Sequence, residues 1–424
     1  MELSFNSRQT LHIKMPLNII VVGEEMKKIM LLGGAEYLLP YIKAAHDLGI
    51  YVITCDYLPY NIAHKYSDEY ANVSIVDKEA VLSKAKELQI DGIISPATDP
   101  GVVTASHVAE KMGLPGCPYK SVDILQHKDK FRAFLRDNGF TVPNSAGFDN
   151  KEDALAGARR FKLPFIVKPT DSAGSKGVIR IDSLDQLPSA IDEAFDVSIS
   201  KHIIIEDFIE KVGSSSDTDS FSIDSNLVFC SFNCQHFDAD AINPYTPSAY
   251  SWPSDMPEGI QSNLRSELQR LMKLLRLGTS QYNIETRMGT DGKGYIMEVS
   301  PRAGGNRLSE MLKYACGQDL ISNAVRAALG MKLDDLHDPI YNGAWAEYII
   351  HSNKAGTYRG ITLDPEFEKK HVIEKDYWLN PGDYVYEFTG ANRAIGTLVL
   401  RFDTQSEAEE TLANINRFVK VDLT

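Results

Sequence analysis

Asp291-Gly292 sits between two alternating apolar runs in "QYNIETRMGTDGKGYIMEVS" (281–300). Asp-Gly in that setting is a strong signal for a two-residue hairpin, because such turns need a left-handed backbone. A tip at 291–292 sets Glu285 directly opposite Glu298, and Asn283 opposite Ser300. Side chains alternate along a strand, so all four share one face. Like charges directly opposite destabilise a strand pair. The pair is therefore either a solvated face or a cation site. A hard divalent ion such as Mg²⁺ takes one or two carboxylates plus substrate phosphates. A bulge at Gly294 would shift this register by one.

Two further segments carry comparable features. "FIVKPTDSAGSKGV" (165–178) ends an apolar strand in Lys168 and Pro169. Gly174 and Gly177 let backbone N–H groups approach a polyphosphate, and Ser172, Ser175 and Lys176 add donors. No GxxxxGK[ST] is present, so this is not a Walker loop; a phosphate cradle and a plain surface loop both fit. "IIIEDFIE" (203–210) runs an apolar strand into Glu206 and Asp207. Either backbone groups here meet an adenine edge and Glu206 or Glu210 a ribose, or the strand simply reaches solvent.

The N-terminal part alternates strands (28–34, 50–56, 91–99) with helical spacing (37–49, 78–89), which predicts a parallel α/β sheet. Ligands lie beyond the strand C-termini of such sheets, the side of Gly33, Gly34 and Asp56. Gly33-Gly34 makes a poor dinucleotide fingerprint and also suits a tight turn. Asp99 either caps a helix or touches substrate. A helix from about 120 carries Lys128 and Lys130 and ends near Gly139. "KVGSSSDTDS" (211–220) reads as turn or loop, "FSIDSNLVFCSFNCQHF" (221–237) as one or two strands, and "NPYTPSAYSWPS" (243–254) as a loop that packs on the second lobe or covers substrate. A helix is expected around 308–329. Cys230, Cys234 and His236 read as a mixed strand face, not a zinc site.

A chain of 424 residues predicts two or three domains. The boundaries read as an upstream, disordered extension (1–25) before a second start at Met26, an α/β domain (26–119), a nucleotide-binding domain (120–336) and a small α+β domain (337–424). A net charge of -14 argues against nucleic acid or an anionic membrane as the main partner. Five scattered cysteines without a CxxC pair suit a reducing cytosol, so a cytoplasmic location is expected.

The ordered set of segments resembles the ATP-grasp superfamily over roughly residues 26–336. The α/β lobe, the Lys128 helix ending in "NGFTVP", "FIVKPTDSAGSKGV", "IIIEDFIE", "NIETR" and "IMEVSPRAGGN" follow one another as in carboxylate-amine ligases, biotin carboxylase and the carbamoyl phosphate synthetase large subunit. The resemblance implies a multidomain α/β and α+β fold: a Rossmann-like lobe, an ATP-grasp domain of two α+β subdomains and a small C-terminal domain. It implies ATP with Mg²⁺ or Mn²⁺ as cofactors, and phosphate contacts from Lys128, Lys168 and the loop Ser172, Gly174, Ser175, Lys176, Gly177. Glu206, Asp207, Phe208 and Ile209 become the adenine linker. Glu285, Glu298 and Ser300 become the metal ligands, and Arg302 the catalytic arginine facing the γ-phosphate or an acyl phosphate. The implied reaction is ADP-forming activation of a small-molecule carboxylate for attack by an amine, in a chain that forms homodimers. Two alternatives are a bicarbonate-activating carboxylase or carbamoyl-phosphate-type enzyme, and a nucleotide-binding regulator with little turnover.

Two departures stand out. The family commonly has Asn where this chain has Ser300; Asn283, opposite it, is a candidate source of the missing amide oxygen. A family carboxylate after the linker aligns here with either Asp219 or Asp224.

Overall fold

A computed structural model describes residues 26–171 and 177–424. Residues 1–25 and four of the expected loop residues, Ser172, Gly174, Ser175 and Lys176, lie outside the described residues.

The first lobe contains β1 (Lys28–Leu32), α1 (Leu39–Asp47), β2 (Tyr51–Cys55), β3 (Glu69–Ala71), α2 (Lys78–Leu88), β4 (Gly92–Ile94) and α3 (Asp99–Met112). Its strands are all parallel, in the order β3-β2-β1-β4. Ile29 to Leu32 are all buried, as expected of a central parallel strand covered on both faces. Gly33 ends β1 at φ 119, a value that favours glycine, so a tight turn accounts for its presence.

One helix was expected from about 120; two are found, α4 (Tyr119–Gln126) and α5 (Lys128–Asp137). His127, extended at φ -112 and ψ 111, separates them. The break makes Lys128 the first residue of α5.

The next sheet is antiparallel. It is built from β5 (Ser145–Phe148), β6 (Phe165–Pro169), β7 (Ile179–Ile181) and β8 (Ile203–Asp207), in the order β5-β8-β6-β7. Helices α6 (Lys151–Gly157) and α7 (Leu187–Val197) share its core, with Phe165, Val167, Ile203 and Ile205 meeting Ala154 and Ile191.

The chain continues through β9 (Ser216–Ile223), β10 (Asn226–Cys230), β11 (Cys234–Phe237), β12 (Pro247–Trp252), α8 (Glu258–Leu275), β13 (Ser280–Met288) and β14 (Gly294–Ser300). The sheet β10-β9-β13-β14 is covered by α8, whose Leu264, Leu268, Leu271 and Leu275 repeat at helical spacing. The 211–220 segment is therefore half strand, because pairing with β13 recruits its Ser/Asp-rich sequence from Ser216 onward.

After α9 (Leu308–Cys316) and α10 (Leu320–Ala328) come β15 (Ala344–Ile350), β16 (Gly356–Leu363), α11 (Pro365–His371), β17 (Val372–Tyr377), β18 (Tyr384–Val385), β19 (Gly396–Phe402), α12 (Gln405–Ala413) and β20 (Val419–Leu423). One C-terminal sheet runs β11-β12-β15-β19-β17 and another β18-β16-β20. A boundary at 337 thus cuts through a sheet: β11 and β12 belong to it, and half of the 243–254 segment is the strand β12. The first lobe is not separate either. Ile29, Leu31, Leu38 and Ile42 share a buried core with Leu308, Met311, Leu312 and Val325 of α9 and α10.

Candidate nucleotide and metal site

The β13–β14 hairpin pairs Glu285 with Glu298 and Asn283 with Ser300, as the turn placed them. The route differs from expectation in two compensating ways. Gly289 bonds Lys293 O, so the turn holds three residues, 290–292. Pairs near the tip are Met288 with Gly294 and Thr286 with Ile296, and a bulge at Met297 then restores the expected register. The bulge is at Met297, not Gly294. Its carbonyl accepts from Arg132 Nη1 at 2.8 Å.

A third carboxylate joins the pair. β9 lies on the other side of β13 and sets Asp217 opposite Glu285 and Asp219 opposite Asn283. One row across three strands is therefore Asp217, Glu285, Glu298; the next is Asp219, Asn283, Ser300. Asp217 Oδ1 accepts from Asn283 Nδ2 (2.8 Å), and its Oδ2 from the Tyr250 hydroxyl (3.3 Å). Enclosure, and then the neighbouring Glu285, push the Asp217 carboxyl up to about 7. That repulsion is what a divalent cation would relieve, and three carboxylates in one row are a hard-oxygen donor set that fits Mg²⁺.

Asp219 has a different task. Its carboxylate accepts from Ser309 Oγ, from Gly304 N at 2.7 Å and from Gln281 Nε2 at 3.1 Å, which fastens the turn after β14 to the sheet. Gly304 permits this close approach: a Cβ would lie 2.4 Å from Leu308 Cδ1 and 2.6 Å from Asn283 Nδ2, so both side chains would have to shift. Asp224 sits in the β9–β10 turn at φ 49, away from the row.

Two expected ligands are already engaged. The Ser300 hydroxyl donates to Asp99 Oδ1 and accepts from Gln126 Nε2, each at 2.8 Å. Asn283 turns its amide N–H toward Asp217. Arg302 holds Asp99 with two parallel bonds, Nε to Oδ1 at 2.8 Å and Nη2 to Oδ2 at 2.7 Å; its Nη1 donates to Ala303 O. Asp99 begins α3 but does not serve as its side-chain cap. It is the clamp between the first lobe and the hairpin. Burial alone would raise its carboxyl; Arg302 outweighs that and holds it below the ordinary range.

The phosphate side needs one correction. Glu206 is not aimed at a ribose. It is buried, its Oε1 accepts from Lys168 Nζ, and its Oε2 accepts from Arg132 Nε at 2.9 Å. Burial would raise this carboxyl, but Arg132 and Lys168 outweigh it and hold it at about 2. The physical reason is register: Glu206 lies opposite Ile166 and Lys168 opposite Ile204 on the neighbouring strand, so both carry their side chains to one face. Lys128, at the start of α5, lies 4.0 Å from Glu298 and links the cationic and acidic halves. In the expected linker, Asp207 ends β8, Phe208 lies 4.3 Å under the Arg180 guanidinium, and Ile209 O accepts from Arg287. Gly177 takes φ 68.

Sequence reading passed over Asp217, Arg132 and Tyr250. Asp217 alternates with Asp219 in "SDTDS", which is the signal that would have found it once the segment was taken as strand. Arg132 and Tyr250 carry no local signal.

Asp217→Asn removes a like charge from the row. Without metal, the wild-type protein is expected to be about 1 kcal/mol less stable than the variant at pH 8. A carboxyl raised in the folded state costs stability progressively as pH rises from its ordinary 3.8 to about 7, so the difference should close again below pH 4. Urea titrations at pH 4 and 8 check both parts, and the variant should need more Mg²⁺ for any ATP-dependent change.

Residues 161–310 match the family model for the ATP-grasp domain, and the resemblance to the ATP-grasp superfamily is supported by relatives in sequence and in fold. It is 20% identical to the L-amino acid ligase from Bacillus licheniformis, with a TM-score of 0.78 over 95% of this chain and 100% of that one. Phosphoribosylglycinamide synthetase from Anaerococcus prevotii gives a TM-score of 0.74 at 20% identity, covering 94% and 100% of the two chains. In sequence, the chain is 23% identical over 297 residues to the carbamoyl phosphate synthase arginine-specific large chain of Bacillus subtilis (strain 168), covering 68% of this chain and 28% of that protein. The chain thus spans about a quarter of the length of the first such relatives. No helix among the described residues is long and apolar enough to cross a membrane.

Proposed function

We propose that the protein is an ATP- and Mg²⁺-dependent ligase that activates a small-molecule carboxylate as an acyl phosphate, releases ADP, and joins the acyl group to an amine. The observation that carries this reading is the row Asp217, Glu285, Glu298 facing Lys128, with Lys168 behind it. ATP supplies the phosphoryl group and Mg²⁺ neutralises its charge. Lys128 and Lys168 attract the phosphates; Glu206 and Arg132 orient Lys168 so that its ammonium is fixed before nucleotide arrives. Asp217, Glu285 and Glu298 would hold the metal. Arg302, kept rigid by Asp99, places a cation beside the point where acyl phosphate charge develops. The lobe contributing Asp99 and the turn 301–307 frame the second substrate.

A second reading, bicarbonate as the activated acid, is supported by the carbamoyl phosphate synthase names among the sequence relatives. ATP hydrolysis measured across amino acids, small acids and bicarbonate separates the two. The ligase reading expects ADP and phosphate, stimulated by an acid and an amine together. AMP as the nucleotide product contradicts both readings, and no stimulation by any member of the panel favours a nucleotide-binding regulator.

A further inference from the structure

Glu347, in the middle of β15, is wholly buried, and neither carboxylate oxygen has a hydrogen-bond partner. An unpaired carboxylate is among the costliest groups to enclose. It lies on the side of the C-terminal sheet that faces the proposed site: Tyr250 is its cross-strand partner on β12, and the Tyr250 hydroxyl reaches Asp217 at 3.3 Å. Asn306 Nδ2 donates to that same hydroxyl at 3.4 Å.

Local charge points to the ligand. Arg307 is the one nearby cation among the described groups, and it is already shared. It pairs with Glu310 at 3.2 Å and Glu374 at 2.7 Å, and it also donates to Thr397. One guanidinium thus stands among three carboxylates, counting Glu347. Burial, and Glu310 nearby, raise the Glu347 carboxyl well above its ordinary range; Arg307 opposes this only in part. Asn306 and Arg307, in the turn between the two sites, both hold left-handed backbone at φ 51 and φ 58. Non-glycine strain of this sort persists where the surrounding structure imposes it, and it clusters at ligand sites.

We infer that Glu347 receives the ammonium group of the amine substrate and takes its first proton. This rests on the ligase reading and deepens it. The ammonium gives one proton to Glu347, and the freed lone pair attacks the acyl carbon. A C–N bond forms, and the C–O bond to phosphorus breaks with its electrons leaving on phosphate. The second proton, released as the amide forms, goes to the departing phosphate. The substrate class is then a carboxylate joined to a cationic primary amine, such as an amino acid.

The test is Glu347→Gln, which keeps size and burial but cannot ionise or take a proton. The full chain is given ATP, Mg²⁺ and twenty L-amino acids offered as acids and as amines. Hydroxylamine, small and uncharged, serves as a trap for acyl phosphate that does not need an ammonium receptor. The expected result is unchanged hydroxamate formation, with the KM for the amino-acid amine raised roughly tenfold or more. Glutamine matches the neutral, protonated form that burial favours, so the melting temperature should stay level. Unchanged amine kinetics, or hydroxamate falling in parallel with amide product, overturns the assignment. Wild-type protein that forms ADP with no hydroxamate overturns the acyl-phosphate reading itself, and this inference with it.

Discussion

Glu298→Gln is expected to lower substrate-stimulated ATP turnover by roughly two to three orders of magnitude, the usual cost of deleting one charge-stabilising group at the reacting centre. Glu298 is the outer member of the carboxylate row, opposite Glu285 and 4.0 Å from the Lys128 ammonium. Glutamine keeps the shape and one oxygen but removes the charge that a hard cation selects. The same change relieves repulsion with Glu285, so metal-free stability should stay level or rise. Steady-state kinetics across a Mg²⁺ titration, paired with thermal melts, read both effects. Lost activity with raised stability marks a binding group, whereas parallel losses mark a structural one.

Glu206→Gln should act in the opposite sense, with the largest effect on stability. Glu206 is buried between Lys168 and Arg132, and the Arg132 side chain is 2% exposed. Removing one partner of a buried ionic cluster leaves uncompensated charge and costs about 3–5 kcal/mol. Here one carboxylate serves two cations, so the upper part of that range is expected. The wild-type pH profile follows from the same pair. A carboxyl held at about 2, against an ordinary 4.5, contributes stability that is complete above 4.5. That contribution is lost as pH falls from 4.5 through about 2. Urea unfolding at pH 7 and pH 2.5 should show the variant's deficit shrinking at low pH. A deficit of equal size at both would mean that the charge of Glu206 is not what stabilises the fold.

How far the sequence could be read depended on the range of each interaction. The first lobe was legible because apolar strands and helical spacing are local patterns. The Glu285–Glu298 pairing was legible because turn chemistry fixes hairpin register, although the three-residue turn and the Met297 bulge reached that register by another path. Asp217 was not legible. A Ser/Asp-rich segment has loop propensity, and only the β13 edge turns it into strand. The role of Glu206 was hidden for a similar reason, since Arg132 comes from a helix 74 positions away. Ser300 looked like a weakened metal ligand; its hydroxyl is instead part of the Asp99–Arg302 clamp between lobes, which no local pattern foretells. The tie between the 243–254 segment and the C-terminal strands was hidden because β12, with proline and aromatics around it, pairs with β15 across nearly a hundred residues.

The central claim is that the acidic row and its lysines serve transfer of a phosphoryl group to a substrate carboxylate. It is tested most directly with an acid substrate labelled with ¹⁸O in its carboxylate, turned over with ATP, Mg²⁺ and amine, and analysed by mass spectrometry of the nucleotide and phosphate. The account predicts one ¹⁸O in the released inorganic phosphate and none in the nucleotide. Label appearing in AMP, or unlabelled phosphate alongside amide product, would contradict it.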